Sequence, residues 1–327
     1  MRKLGIAVLA AALASGAAMA QDKSFKLTLA GASPGGLWSL LGVGTDRALK
    51  ESFPGSTVTY QTSGGGIANV GLVEQKRAEL GLVHDAELRL AVDGEPPFKT
   101  KASDVAAVAN LYDWAPMQVV VTRDFAERHG LKTFEDIAAK KVPIRVVLNR
   151  RGNIAHMVAE QMFAAAGAST QDIEKWGGAV VLAGSEEQAD LMRDRRVDAL
   201  VNSLFVGQRS VVEIGQAVNV VMLPVADATI QKVANAMGVG KFTIPAGSYA
   251  FQPEAVPTVT LGALMITRKS ISDDVAYAVA KALVENIEQV RAVHPAMKAL
   301  TPQFLTQHKT VPYHPGAVKY YKEKGLM

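Results

Sequence analysis

The chain has 327 residues, of which 49% are hydrophobic and 20% are charged, and its formal net charge is +4. This length and composition are enough for two lobes with separate cores, and they exclude a disordered or fibrous protein. The charge is too small and the basic residues are too scattered for a nucleic-acid partner. The absence of cysteine excludes disulfides, thiolate metal sites and a lipid-modified cysteine anchor.

The first residues have the pattern of a secretory signal peptide. Arg2 and Lys3 precede an apolar run over residues 4–14, and Ala18-Met19-Ala20 matches a cleavage site. The run is shorter than the roughly 20 apolar residues that a membrane-spanning helix requires. We therefore predict a signal peptide over residues 1–20, cleavage between Ala20 and Gln21, and a periplasmic mature protein.

Runs that are typical of strands alternate with amphipathic helical patterns along the rest of the chain. The predicted strands lie at about 25–30, 56–60, 80–83, 106–110, 117–122, 144–148, 180–183, 197–201, 218–225 and 256–266. One long helix is predicted from Ser272 to about Val293. This alternation indicates an α/β protein with mostly parallel sheets, in which ligands bind beyond the carboxyl ends of the strands.

Two glycine-rich loops follow the first two predicted strands, and each opens a helix. The first contains Ser33 and Gly36 and is followed by Trp38. The second carries the candidate ligand contacts Thr62, Ser63, Gly64, Gly65, Gly66 and Asn69. Glycines at a helix start leave backbone N–H groups uncovered, so an anion or a polar ligand end can bind there. The alternative is an ordinary turn capped by Ser63.

A third loop of this kind consists of Asn149-Arg150-Arg151-Gly152-Asn153. It places two cations at the start of a helix, where they are disfavoured unless an anion lies nearby. One arginine can hold a carboxylate through two hydrogen bonds, together with the N–H groups of Gly152 and Asn153. The alternative is that both arginines are solvated surface charges. The sequence does not say which of Arg150 and Arg151 faces a ligand.

Other candidate contacts follow predicted strands. Asp85 either accepts a hydrogen bond from a ligand or caps the next helix, and we expect its neighbour His84 to be structural. Asn202 and Ser203 offer neutral polar groups, for a ligand or for a turn. The remaining candidates are aromatic: Trp38 and Phe205 either wall a pocket or belong to the core, and the Tyr249 hydroxyl either reaches a ligand or braces a hinge.

The chain resembles the TAXI group of solute-binding proteins, which serve tripartite ATP-independent periplasmic (TRAP) transporters. The matching motifs run through the mature chain: Gly31-Ala32-Ser33 with Gly35-Gly36, Thr62-Ser63-Gly64-Gly65-Gly66-Ile67-Ala68-Asn69, Ala78-Glu79-Leu80-Gly81-Leu82-Val83 followed by Asp85, Ile244-Pro245-Ala246-Gly247-Ser248-Tyr249, and His314-Pro315-Gly316-Ala317-Val318-Lys319-Tyr320-Tyr321. The resemblance implies a two-lobed periplasmic binding protein fold (type II-like) with a ligand cleft between the lobes. It also implies delivery of the solute to a membrane permease driven by an ion gradient. The chain departs from the family pattern at residues 149–153 and 202–205, so the resemblance does not identify the ligand.

We predict lobe I from residues 24–117 and 250–327 and lobe II from residues 118–249, in a monomer. The expected ligand is a small organic anion: a carboxylate, a dicarboxylate or an acidic amino acid. No catalytic residue, metal or cofactor is expected, because the common nucleophile, metalloprotease and phosphate-loop motifs are missing. The alternatives are a receptor for an ABC-type transporter and, from another class, a periplasmic lyase on the same fold.

Overall fold

Strands and helices alternate along the chain in the computed structural model, which describes residues 23–32 and 36–327. The predicted signal peptide and the candidate contact Ser33 lie outside these residues. The first part of the chain forms β1 (Lys26–Ala30), α1 (Leu37–Ser52), β2 (Thr57–Gln61), α2 (Gly66–Glu74), β3 (Leu80–His84), α3 (Asp85–Asp93) and β4 (Ala106–Thr122). The middle forms α4 (Arg123–Arg128), α5 (Asp136–Ala139), β5 (Arg145–Leu148), α6 (Ile154–Ala166), α7 (Thr170–Lys175), β6 (Ala179–Leu182), α8 (Ser185–Arg193), β7 (Ala199–Ser203), α9 (Arg209–Ala217), β8 (Val220–Met222), α10 (Asp227–Met237) and β9 (Gly240–Ile244). The last part forms β10 (Val256–Thr267), α11 (Asp273–Glu285), α12 (Ile287–Arg291), two short 3-10 turns (Pro295–Ala299 and Phe304–Thr306) and α13 (Pro315–Glu323).

The described strands join into one curled sheet in the order β2-β1-β3-β10-β4-β7-β5-β6, with β8 beside β4 and β9 beside β10. The long strand β4 belongs to both halves. Its first part pairs with β10, and from Met117 onward it pairs with β7. The fold is therefore the predicted α/β class, with a lobe on each side of the shared strands β4 and β10.

The directions of the strands decide which loops face each other. β1, β2 and β3 are parallel, and β10 is antiparallel to both β3 and β4, so β3 and β4 point the same way. In the other half, β7 is antiparallel to β4 and parallel to β5, which is parallel to β6. The carboxyl ends of β1–β3 therefore point toward the second lobe, and those of β5–β7 point back toward the first.

We call the loops at these ends the lobe I edge (residues 31–32, 36–38, 62–66 and 84–87) and the lobe II edge (residues 149–153, 183–185 and 202–205). Helices cover both faces of the sheet behind them. In lobe I these are α1, α11 and α13 on one face and α2 and α3 on the other. In lobe II they are α6 and α10 on one face and α8 and α9 on the other. Burial on both faces explains the uninterrupted apolar runs of the parallel strands.

Several elements differ in extent from the prediction or were not predicted. Residues 112–116, which separate two predicted strands, lie inside β4, because pairing with β10 carries the strand through Pro116 to the point where pairing with β7 begins at Met117. The ladder with β10 is irregular between Tyr112 and Ala115. The predicted helix over residues 272–293 ends at Glu285, since Asn286 turns away and donates to the Ala48 carbonyl and the Ser52 hydroxyl. β9 was not predicted.

The predicted lobe boundaries at 117/118 and 249/250 stay a prediction. Val256 and Val259 of β10 pack in clusters formed mainly by the second lobe, although they follow the second boundary.

Candidate functional site

The glycine loop between β2 and α2 is held by its own polar side chains. Asn69 is fully buried, and its Nδ2 donates to the carbonyl oxygens of Gly31 (2.8 Å) and Leu82 (2.7 Å). The Ser63 hydroxyl lies 2.6 Å from Asn69 Oδ1 and accepts the N–H of Gly65 at 2.9 Å. In this conformation the two predicted ligand contacts Ser63 and Asn69 tie the lobe I edge together, whereas Thr62 and Gly64 beside them are exposed.

The start of α2 is shaped by a buried carboxylate that the sequence analysis missed. Gly65 has φ of +107°, a backbone conformation that L side chains rarely adopt. A Cβ on Gly66 would lie 1.8 Å from Oε2 of Glu87, whose side chain is 1% exposed. A helix N-terminus favours negative charge, and Glu87 already supplies one beside the first residue of α2. The anion site expected in this loop is therefore partly filled by the protein itself.

His84 stands between Glu87 and the aromatic residue Trp38. Oε2 of Glu87 accepts the backbone N–H of His84 at 3.0 Å and lies 3.1 Å from its Nδ1. The indole of Trp38 packs on the imidazole with ring centres 4.8 Å apart, and its Nε1–H donates to the hydroxyl of Tyr112 at 3.0 Å. The candidate Trp38 is thus nearly buried but belongs to the lobe I edge, where Gly36 is the exposed N-cap residue of α1.

Asp85 faces a different part of the junction from His84. It is the first residue of α3, whereas His84 is the N-cap residue, so the capping role suggested for Asp85 was wrong. Its Oδ1 lies 2.8 Å from Nδ1 of the buried His308. Asp85 also lines a cavity of about 230 Å³ between the lobes, together with Ala86, Asp113, Gly238, Val239, Gly240, Thr260, Leu261 and Gly262. Burial, and then the negative charge of Asp85, raises the pKa of Asp113.

On the lobe II edge, Asn202 ties three loops together. Its Nδ2 donates to Oε1 of Gln188 at 2.9 Å and to the Ser185 hydroxyl at 3.2 Å. Its Oδ1 accepts from Nδ2 of Asn149 at 3.1 Å. Because Asn202 is fully buried and its polar atoms are engaged, it positions the loops after β5 and β6 in this conformation.

The two adjacent arginines point to different places. The Arg150 guanidinium lies over Gly184, at the carboxyl end of β6, where a Cβ would be 3.2 Å from its terminal nitrogen. It is 3.6 Å from Oε2 of Glu187, and the two side chains are 65% and 60% exposed. The charge of Arg151 instead acts on His156 of α6. The pKa of His156 is lowered mainly by burial; Glu160 raises it, and Arg151 lowers it to a smaller extent. Arg150 is therefore the arginine that lies beside the carboxyl end of β6.

The last two residues of this loop shape the start of α6. Gly152 has φ of +85°, and Oδ1 of Asn153 accepts the N–H of Ala155 at 2.8 Å as the helix cap. These contacts orient the loop that presents Arg150.

The remaining candidates lie where the lobes join. Phe205 follows β7 but is buried in the core of lobe I, with its ring 5.0 Å from that of Tyr112, so it packs as a core residue rather than as an exposed pocket wall. The Ser203 hydroxyl donates to the Ala115 carbonyl of β4 at 2.7 Å. The Tyr249 hydroxyl donates to Oε1 of Gln118 at 2.9 Å and accepts the N–H of Gly207 at 3.0 Å. In this conformation the contacts of Ser203 and Tyr249 brace the junction.

Replacing Tyr249 with phenylalanine should lower the free energy of unfolding by about 1–2 kcal/mol, because the buried amide oxygen of Gln118 and the partly buried N–H of Gly207 lose their partner. Urea denaturation measures this change. Tyr277→Phe is the matched control, since the Tyr277 hydroxyl donates to Glu323 near the surface and its loss should cost less than about 0.5 kcal/mol. Equal costs for the two variants would contradict the bracing role.

The register of β4 gives the separation of the two edges along the sheet. Ala263 of β10 pairs with both His84 and Tyr112, whereas Ser203 pairs with Met117. Tyr112 and Met117 are five residue steps apart on β4, so the end of β3 and the end of β7 are separated by about 16 Å along the strand. Side chains that extend from both edges shorten this gap for a ligand.

The described residues contain no helix that is both long and apolar enough to cross a membrane.

Comparison with solved structures shows the fold of two-lobed periplasmic solute-binding proteins. MatC from Rhodopseudomonas palustris, solved with bound malate, superposes with a TM-score of 0.57 at 13% identity, over 93% of this chain and 98% of that chain. A TctC solute-binding protein from Polaromonas superposes with a TM-score of 0.53 at 14% identity, over 93% and 97% of the two chains. The structure of a further periplasmic transporter superposes with a TM-score of 0.53 at 16% identity, over 94% of both chains. These low identities establish the fold alone.

Residues 29–325 match the NMT1-like family, so the chain belongs to that family.

Several polar residues that build the edges were not among the predicted ligand contacts. They are Glu87, Asn149, Ser185 and Gln188 on or beside the edges and Gln118 at the junction. Glu87 could have been found from its spacing, because it lies three residues after His84, the N-cap residue of α3, as in a capping box. The others carry no local signal, since their partners are distant in sequence.

Proposed function

We propose that the protein is a periplasmic receptor, exported by a cleavable signal peptide, that binds a small organic anion and delivers it to a TRAP-type permease. The single observation that carries the ligand class is the position of Arg150. Its guanidinium is exposed on the lobe II edge, over the carboxyl end of β6 and on the side that faces lobe I. Arginine forms paired hydrogen bonds with carboxylates, and ligands of open α/β sheets bind at this side of the strands.

The start of α8 adds to the attraction of Arg150 for an anion. α8 begins after Gly184, which provides no side-chain cap, so backbone N–H groups at its first turn remain available. The existing partner of Arg150 is Glu187, and an exposed ion pair of this kind contributes at most about 1 kcal/mol. A solute carboxylate that bonds to both Arg150 and the α8 N-terminus can therefore displace Glu187.

The fold supports binding between the lobes, where the two edges oppose each other. The malate bound to MatC, a protein of the same fold, supports a carboxylate as the ligand class. A small acid held by Arg150 on one edge and by groups of the lobe I edge on the other would draw the lobes together by a hinge motion about β4 and β10.

The purified protein is first unfolded and then refolded, which removes any metabolite that co-purifies. Isothermal titration calorimetry of the refolded protein then tests the ligand class. Succinate, L-malate, 2-oxoglutarate and L-glutamate represent the proposed class, and glucose and choline represent neutral and cationic solutes. At least one of the four acids should bind with a micromolar or lower Kd. Tight binding only to neutral or cationic solutes would overturn the proposal. Proton NMR of the same mixtures should show each acid unchanged, whereas turnover would favour a lyase.

The permease partner follows from the TAXI resemblance and needs a separate test. Cells that express the protein with a candidate TRAP permease should take up the bound acid, and uptake should stop when the ion gradient is collapsed. Uptake that depends on ATP hydrolysis and survives the loss of the gradient would assign the protein to an ABC-type transporter instead.

A further inference from the structure

Two consecutive residues after β7 pack in the cores of different lobes. The buried side chain of Leu204 belongs to the apolar cluster of lobe II that includes residues of α8 and α9. The next side chain, Phe205, is buried in the cluster of lobe I. Its ring lies 5.0 Å from the ring of Tyr112 and 5.1 Å from the ring of His294, measured between ring centres. This dipeptide therefore links the two lobes through its side chains, in addition to the strands that the lobes share.

The backbone of the same dipeptide is tied to the shared strand β4. The N–H of Leu204 donates to the carbonyl oxygen of Pro116 at 3.1 Å. Nε2 of Gln118, which is fully buried, donates to the carbonyl oxygens of Leu204 at 2.8 Å and of Phe205 at 3.2 Å. Pro116 pairs with β10, and Gln118 pairs with β7, so these hydrogen bonds hold the dipeptide where the two halves of the sheet meet.

The link also adjoins the frames of both edges. In lobe I, the Tyr112 ring that contacts Phe205 accepts the indole N–H of Trp38 through its hydroxyl at 3.0 Å. In lobe II, Asn202 lies two residues before Leu204 and joins the loops after β5 and β6. Because the dipeptide is anchored in both cores and is close to both frames, it restricts how one edge can move relative to the other.

Phe205 holds the lobes more firmly than an ordinary loop residue would. Loops that follow the strands of an α/β sheet normally run over the surface, whereas this ring is buried in the opposite lobe. Withdrawing the ring would expose its apolar surface to water and leave an empty socket between Tyr112 and His294. A rotation of the lobes that keeps the ring in its socket avoids this cost and is therefore favoured.

We propose that Leu204 and Phe205 form a pivot that keeps the two lobes on one path of opening and closing. The pivot acts in the ligand-free protein, so the inference depends neither on the ligand class nor on the permease. With one side chain held in each core, the lobes turn about the dipeptide without sliding past each other, and the two edges meet in the same register each time they close. Loss of the Phe205 anchor should widen the range of separations between the lobes.

Pulsed electron spin resonance on the ligand-free, refolded protein tests the pivot. Since the chain contains no cysteine, Leu40→Cys on α1 and Glu186→Cys on α8 place one spin label on an exposed position of each lobe. Adding Phe205→Leu, which keeps part of the apolar volume, should broaden the distribution of distances between the labels. Phe205→Ala should broaden it further, because it empties the socket.

Phe163→Leu in the same labelled protein is the matched control. Phe163 is also fully buried, but it lies within lobe II, where its ring is 4.8 Å from that of Phe134. Phe163→Leu and Phe205→Leu should each lower the melting temperature by a few degrees, which circular dichroism measures and which confirms that both variants are folded. Only Phe205→Leu should broaden the distance distribution.

A distribution of wild-type width in Phe205→Leu, or equal broadening in Phe163→Leu, would overturn the pivot and show that Phe205 is an ordinary core residue. Either result would leave the proposed function intact, because no solute is present. Failure of the organic acids to bind would overturn the proposed function and leave the pivot intact.

Discussion

Replacing Arg150 with alanine should weaken binding of the organic acid by about 2–3 kcal/mol, which is a factor of about 30–150 in Kd. The reason is that the guanidinium over Gly184 provides the charged hydrogen bonds of the lobe II edge. Calorimetry with whichever of the four acids binds wild type measures the change. Arg150→Lys should recover only part of the affinity, because an ammonium group keeps the charge but loses the planar pair of donors.

Arg151→Ala is the control for this prediction. The two residues are adjacent and have the same charge, but Arg151 lies near His156 on α6 and not over the carboxyl end of β6. Removing the Arg151 side chain should change Kd less than about threefold, which is the size of effect expected when an ordinary surface charge is lost. If both variants, or only Arg151→Ala, lose affinity strongly, Arg150 is not the anion contact.

Replacing Gly66 with alanine should lower the free energy of unfolding by about 2–4 kcal/mol and weaken ligand binding as well. The new Cβ would lie 1.8 Å from Oε2 and 2.6 Å from Cδ of Glu87. The carboxylate is buried, so it cannot swing into solvent without leaving the N–H and Nδ1 of His84 unpaired. Urea denaturation measures the stability, and calorimetry measures the binding.

Gly64→Ala is the matched control in the same loop. A Cβ at Gly64 would meet only Ala68 Cβ at 3.7 Å, which is ordinary contact, and the residue is exposed. Its stability should stay within about 0.5 kcal/mol of wild type. A large loss in Gly64→Ala, or no loss in Gly66→Ala, would show that Glu87 does not shape the start of α2.

The fold was largely predictable because its signals are local. Alternating runs and glycine turns located β1, β2 and β5 to within about one residue at most ends, and the helices between them have a clear apolar periodicity. The course of β4 was not predictable from these signals, since Pro116 normally interrupts a strand and only the pairing with β10 and β7 carries the strand through. The end of α11 at Glu285 likewise depends on contacts of Asn286 with α1, which is far away in sequence.

The loops at the two edges were predictable, but the hydrogen bonds of each side chain were not. The sequence identified the loops that meet at the two edges, because they follow parallel strands. It did not show that Ser63, Asn69 and Asn202 form hydrogen bonds within the protein, since their partners lie on neighbouring strands and loops. A polar residue in a loop has the same appearance in a sequence whether it faces a ligand or a backbone carbonyl.

These contacts change how the two edges contribute to binding. Internal hydrogen bonds make each edge a firm frame, and Arg150 is an exposed charged group on the lobe II edge. The lobe I edge already carries the negative charge of Glu87, so a simple anion pocket in the glycine loop is less favourable than the sequence suggested.

An organic anion that binds between the two edges, as proposed, should draw them together. Since the chain contains no cysteine, Leu40→Cys on α1 and Glu186→Cys on α8 give a protein with only two sites for spin labels, both exposed and near helix ends at the opposing edges. Pulsed electron spin resonance then measures the distance between the labels with and without the acid that binds best. We expect a shorter, narrower distance distribution with the acid, and no such change when Arg150→Ala is added. An unchanged distribution at saturating acid would contradict it.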